Sequence, residues 1–258
     1  MSFLKKVMAN TLGIGGAKIN TVIKTYAIYP GEAIEGVCEV KGGKVEQDIS
    51  HIMLYIKTSY KKENDDKIDI VETVLQTEKI MVNKTIKEDE KIEVPFKFDL
   101  NKNTPVSLHK SQVWVTTSLE IENAIDSGDR DYIKVLPPNY ISNIIEAVQK
   151  LGFILYEVEN EYFKNRTSPL RFIQEFEFIP HSGEFRGRLD ELELFLISSN
   201  ASVDIYMEVD RKARGLGGFF LEELGMDEKK VRVNFTYNEL DSIDYIANKI
   251  YSVIKSKM

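Results

Sequence analysis

The sequence predicts a mostly β chain made of two layered antiparallel β-sandwiches in tandem, with a few short helices. Three observations predict it. Apolar residues alternate with polar ones in segment after segment, the period of a strand with one covered face. Turn chemistry built on Gly and Pro separates these segments. Pro137-Pro138 then interrupts the series near mid-chain, and a helical pattern follows it.

The opening meander shows the alternation best. Ile19, Thr21 and Ile23 share one face, with Lys18, Asn20 and Lys24 on the other. Tyr29-Pro30-Gly31-Glu32 fits a type II turn, because proline presets φ at the second position and glycine accepts positive φ at the third. The next strand sets Ile34, Gly36, Cys38 and Val40 against Glu35, Val37, Glu39 and Lys41. Gly42-Gly43 turns the chain into a third strand, where Ile52, Leu54 and Ile56 alternate with His51, Met53, Tyr55 and Lys57. A sheet with one apolar face needs a second layer to cover it.

Tyr60 to Lys67 reads as a charged loop tip, and 68–80 as a strand of ambiguous face. Ile92, Val94, Phe96, Phe98 and Leu100 alternate around Pro95. Proline lacks the ladder donor, so this strand belongs at an edge or carries a bulge. Val113, Val115, Thr117, Leu119 and Ile121 form a further strand, with Trp114 on its opposite face packing under a helix or loop. Tyr132 to Leu136 closes the first part, and the stiff Pro-Pro marks a boundary. The expected domains are 1–136, a β-sandwich, and 137–258, a sandwich-like domain with helices.

In the second part, Asn139 is placed to cap a helix carrying Ile141, Ile144, Ile145, Val148 and Leu151, stopped by Gly152. Strands are expected over 153–163 and 172–179, with a turn at His181 to Glu184. Leu192, Leu194 and Leu196, then Val203, Ile205, Met207 and Val209, make the clearest hairpin. Arg211-Lys212-Ala213-Arg214-Gly215-Leu216-Gly217-Gly218-Phe219-Phe220 follows it. A short helix over 222–228 and a strand through Val231, Val233 and Phe235 come next. Asp241 or Ser242 caps a terminal amphipathic helix with Ile243, Ile246, Ala247, Ile250, Val253 and Ile254 in one stripe. Lysines 249, 255 and 257 sit toward its C-terminus, where the helix dipole favours cations.

The chain has 258 residues, 29% of them charged and 43% hydrophobic, the balance of a folded globule rather than a disordered tail. A formal net charge of −7 argues against nucleic acid as partner, since phosphate binding needs a clustered basic face. A single cysteine, Cys38, excludes an intrachain disulfide. It lies on an apolar strand face, the place of an inert core thiol rather than a nucleophile. Residues 1–12 lack an unbroken signal-peptide core, and no run reaches the length of a membrane span, so the expected location is cytoplasmic. Phe3, Leu4, Val7, Met8 and Leu12 near helical spacing leave three readings of that segment, a docked helix, a membrane-surface contact and a fraying terminus.

Catalytic and metal motifs are scarce. Gly13-Ile14-Gly15-Gly16 has neither a dinucleotide nor a Walker spacing. His51, His109 and His181 stand apart, with no H-E-x-x-H, C-x-x-C or G-x-S-x-G pattern. Asp126, Asp129 and Asp131 lack the order of an EF-hand loop. Asp190, Glu191 and Glu193 read as turn and strand-face acids rather than a glycosidase pair. The chain is expected to be no enzyme and to need no cofactor or metal. Its candidate partner-binding residues are Arg211, Lys212, Arg214, Leu216, Phe219 and Phe220, cations to meet an acidic protein and apolar side chains to anchor it.

One resemblance extends over most of the chain. Gly15-Gly16-Ala17-Lys18-Ile19-Asn20-Thr21, Tyr29-Pro30-Gly31-Glu32 and Gly36-Val37-Cys38-Glu39-Val40-Lys41-Gly42-Gly43 resemble the opening of the SpoOM family of sporulation-control proteins. Gln174-Glu175-Phe176-Glu177-Phe178, Leu189-Asp190-Glu191-Leu192-Glu193 and Glu208-Val209-Asp210-Arg211 continue the likeness. The resemblance implies an arrestin-like fold and a cytoplasmic regulator of early sporulation acting through protein partners. It supplies no motif of functional residues. The two helices flanking the second strand series depart from a plain arrestin pattern.

Overall fold

The computed structural model describes residues 16–64, 67–121, 130–163, 170–210 and 231–258. They form two compact units. The first draws on Met1–Thr58, Glu72–Val106 and Gln112–Leu136, and the second on Ser59–Val71, Ser107–Ser111 and Pro137–Met258.

In the first unit, β1 (Lys18–Ile23), β3 (Ala33–Lys41) and β6 (Lys91–Asp99) make a sheet in the order β1-β3-β6. A second run of strands pairs β4 (Gln47–Asn64) with β7 (Val113–Ile121), β8 (Arg130–Val135) and the short β2 (Ala27–Ile28), in that order. Another strand, β5 (Lys67–Ile86), pairs β4. The alternation in the sequence becomes the inner faces of this sandwich. Ile34, Cys38 and Val40 of β3 meet Ile52, Leu54 and Ile56 of β4 and Val113 and Val115 of β7 in one core. Full burial of each such aliphatic side chain contributes about 1.5–3 kcal/mol before entropy is subtracted.

The turn before β3 has the expected geometry. Gly31 sits at φ +90°, and the Glu32 amide donates to the Tyr29 carbonyl at 3.1 Å. Pro95 lies in β6, at an edge of its sheet opposite Val37, where a missing N–H costs no ladder bond. The neighbouring register pairs Gly36 with Phe96. A Cβ at Gly36 would lie 2.6 Å from the Val22 carbonyl oxygen and closer still to the Phe96 ring, so only glycine lets that ring lie over β3.

In the second unit the strands run β13 (Val231–Thr236), β12 (Ser202–Asp210), β11 (Glu191–Ser198), β10 (Phe172–Pro180), β9 (Phe153–Tyr162), all antiparallel. The end of β4 lies parallel beside β9, with Lys61 opposite Glu161. Leu192, Leu194, Val203, Ile205, Met207 and Phe235 are buried on one face. Among the described residues, the layer on that side is helical. It consists of α1 (Asn139–Lys150), α2 (Ile243–Lys257) and a 3-10 turn at Glu239–Asp241. Phe235 meets Tyr245 edge-on at 6.4 Å, and Phe185 lies between Phe153 and Tyr251. Strand β9 carries an extra residue: the register against β10 shifts between Glu177 and Phe178, so that Leu155 and Glu157 both find partners and Tyr156 has none.

Several local expectations change. Strands β4 and β5 extend through most of the expected loop tip, because Tyr60 is buried and Lys61 to Glu63 are only partly exposed rather than solvated. The N-cap of α1 is Pro138, with no side-chain capping bond, and Asn139 is already helical. Proline at that position presets the entry angle. Among the described residues, the Trp114 ring meets the Arg130 guanidinium at 5.0 Å and Tyr132 at 6.0 Å, both from the adjacent strand. Ser242 does cap α2, accepting from the Tyr245 amide at 3.3 Å.

Gly36→Ala is expected to destabilise the protein by about 1–3 kcal/mol, the typical cost of forcing an extra carbon into a packed site. The midpoint of urea unfolding, at unchanged slope, measures it.

Candidate functional site

Antiparallel register places directly opposed residues on the same face of a sheet. On the face of the second unit away from its helices, the register assembles acids. Glu175 of β10 lies opposite Glu159 of β9, and Glu177 is flanked by Glu157 on β9 and Glu193 on β11. Glu193 in turn faces Glu208 of β12, and Glu191 faces Asp210. The result is a ladder of carboxylates running across β9 to β12.

Two lysines enter this ladder. Lys61 comes from the end of β4 and reaches Glu63 at 3.2 Å, Glu161 at 3.3 Å and Glu159 at 3.5 Å. Lys110 reaches Glu157 at 2.5 Å and Glu159 at 3.8 Å. Neutral groups fix the surroundings. The Asn160 amide donates to the Ser59 carbonyl at 3.0 Å, Ser111 donates to Asn160 at 3.2 Å, and Gln174 donates to Ser111 at 2.8 Å.

The electrostatics follow from the crowding. Glu175 is 8% exposed, and burial followed by the charges of Glu161 and Glu193 pushes its carboxyl up to about 10. It is therefore protonated at neutral pH, and its side chain hydrogen-bonds with that of Glu193. Glu161 is raised by burial, an effect that the Lys61 ammonium partly offsets. Glu177 and Glu191 are raised too, by burial first and then by neighbouring acids. Burial pulls Lys61 down, but Glu161, Glu159 and Glu63 more than reverse it, so the ammonium stays charged.

Among the described residues, Glu159, Glu161 and Glu175 form the group with spacing suited to a cation, their ligand atoms within 4.8 Å of one another. Lys61 already supplies a positive charge beside two of them. An ammonium–carboxylate cluster of this kind binds and orients charge, and it contains no nucleophile with an adjacent base.

The other candidates fall elsewhere. Arg211, Lys212, Arg214, Leu216, Phe219 and Phe220 lie outside the described residues; the segment follows directly from Asp210, the last residue of β12. The N-terminal Phe3, Leu4, Val7 and Met8 are likewise outside them. Cys38 is fully buried, and desolvation raises its thiol to about 11, so it is not a thiolate at neutral pH. His51 is engaged with the Ser50 hydroxyl at 2.8 Å. Glu191 and Glu193, read from sequence as strand-face acids, are on the ladder. Lys61 and Glu175 were not anticipated. Glu175 alternates with phenylalanines as a strand-face acid does, so the sequence holds no signal of its burial.

A sandwich that closes its core inward, in tandem with a second sheet bearing this charged outer face, defines an arrestin-like β protein. More narrowly, the chain belongs to the SpoOM family, whose model, described as "SpoOM protein", matches residues 4–213. It is 39% identical to the sporulation-control protein spo0M of Bacillus subtilis (strain 168) over 257 residues, 98% of each chain. The crystal structure of Spo0M from Bacillus subtilis superposes with a TM-score of 0.86 at 36% identity, covering 95% of this chain and 100% of that one. No described helix is long and apolar enough to cross a membrane.

The Glu175 pKa has a definite sign for stability. A carboxyl raised from 4.5 to about 10 holds its proton in the folded state while the unfolded chain releases it. Stability therefore falls as pH rises through that window. Glu175→Gln is expected to flatten the decline between pH 5 and 9 and to raise unfolding free energy at pH 7 by on the order of 1–3 kcal/mol. Urea titrations at several pH values measure both effects.

Proposed function

We propose that this protein is a non-enzymatic regulator of early sporulation that works in the cytoplasm by binding other proteins. Its near full-length identity to the sporulation-control protein of Bacillus subtilis carries the reading. The charged outer face of β9 to β12 supports it, because a sheet face lined with carboxylates steers and registers a basic protein surface. The buried, inert thiol of Cys38 fits a binding role. On this reading, residues 1–136 and 137–258 act as two domains, each presenting a surface.

The segment after β12 is the second contact proposed. Arg211, Lys212 and Arg214 would meet an acidic surface of the partner, while Leu216, Phe219 and Phe220 fill an apolar pocket beside it. Aromatic and Arg anchors of this kind commonly dominate interface energetics, about 2 kcal/mol or more each.

Expression of the chain in a Bacillus subtilis strain lacking its relative is expected to restore heat-resistant spore counts. Full expression with no change in spore number would overturn the regulatory reading. Arg211→Glu with Arg214→Glu is expected to lose at least one protein that the wild-type chain captures from the host's cytosol, and retention of every captured protein would remove this segment from the interface.

A further inference from the structure

The outward face of the β1-β3-β6 sheet has a feature that folding alone does not favour. Register places Lys18, Lys41 and Lys91 directly opposite one another across the three strands. Like charges so placed repel and destabilise the pairing. Two residues along the strands, the row Asn20, Glu39 and Glu93 offers acids within reach. None of the lysines uses them. Glu39 accepts from the Asn20 amide at 3.1 Å, and Lys41 turns instead to Asp89 at 3.1 Å. Lys18 and Lys91 have no ion-pair partner among the described residues.

Between the two rows lies a groove of about 490 Å³. Its floor is the backbone around Ile19, Val40 and Ile92, and the lysines form one wall. Adjacent strands stand about 4.7–4.9 Å apart, so the ammonium groups line roughly 10 Å of that wall. Flexible four-carbon stems let each head adjust to an anion.

The geometry points to this groove as the docking place for an acidic, extended segment of a protein partner, its carboxylates lying along Lys18, Lys41 and Lys91. This rests on the protein-binding role proposed above and specifies one partner's contact chemistry. Charge complementarity selects the occupant: the unrelieved lysine row gains what the free protein lacks. The volume suits a few residues of peptide, and the acids Glu39 and Glu93 on the other wall repel its carboxylates toward the lysine side.

The test is a titration of the full-length ¹⁵N-labelled chain with hexaglutamate, with inorganic pyrophosphate, and with hexalysine as the opposite-charge control. Hexaglutamate is expected to shift the amides of residues 18–20, 39–41 and 91–93. Lys18→Gln with Lys91→Gln is expected to weaken its binding at least ten-fold. Lys97→Gln, which alters a lysine paired to Glu35 on the same sheet, is expected to leave binding within two-fold. Shifts confined to other residues, or equal binding by the double variant, overturn the inference. A response to pyrophosphate without one to hexaglutamate also overturns it and assigns a small-anion site instead. The free protein gives a second readout: the double variant is expected to melt no lower than wild type, because it relieves repulsion, and a lower melting temperature would show that the row is not uncompensated. Spore counts restored by a chain that ignores hexaglutamate would reject this groove and leave the regulatory role standing.

Discussion

Each sheet of this protein must hide one face, and that constraint shapes what the other face can be. In the first unit the hidden face is sealed by a second sheet, with Ile34, Cys38 and Val40 meeting Ile52, Leu54 and Ile56. In the second it is covered by helices bearing Ile144, Val148, Ile246 and Ile250, all buried. Because side chains alternate along a strand, every apolar residue committed inward fixes a neighbour outward. The outward residues are therefore free to carry charge, and they do so in rows set by strand register rather than by sequence proximity.

Those rows are energetically unequal. The carboxylate ladder of β9 to β12 would be self-repelling without its lysines, and Lys61 and Lys110 offset part of that cost. Protonation removes a further part, since Glu175 carries a neutral carboxyl where a charged one would face Glu161 and Glu193. The lysine row on β1-β3-β6 has less relief, a single bridge from Lys41 to Asp89, itself at an exposed turn. Exposed pairs of that kind contribute little, about 0–1 kcal/mol. The acid ladder and the lysine row thus carry opposite charge and differ in how far each is compensated.

How much of this the sequence disclosed depends on range. Local signals were legible: the type II turn at Gly31, the edge position of Pro95, the β11–β12 hairpin and the Ser242 cap all follow from a few adjacent residues. Asn139 was misassigned because a capping residue and a first helical residue look alike next to proline. For Trp114 the sequence shows which face it occupies, which predicts cover by a helix or loop, but not its cross-strand neighbours Arg130 and Tyr132. The Lys61 cluster was out of reach for the same reason. Its partners Glu159 and Glu161 lie about a hundred residues away, and only register unites them with Lys61. Of the candidate contact residues from 211 to 220, the fold fixes where β12 hands over to them and nothing further.

The extra residue in β9 works as a frame corrector. Before it, Phe153 shares the covered side with Phe178; after it, Val158 shares that side with Phe176. The inward positions thus switch from odd to even numbers partway along one strand. A one-residue deletion near Tyr156 would leave the strand's composition almost untouched. It would nevertheless present either an aromatic ring to water or a run of glutamates to the helices. Length at this point is therefore constrained more tightly than identity: many side chains could occupy position 156, but the position itself cannot be dropped.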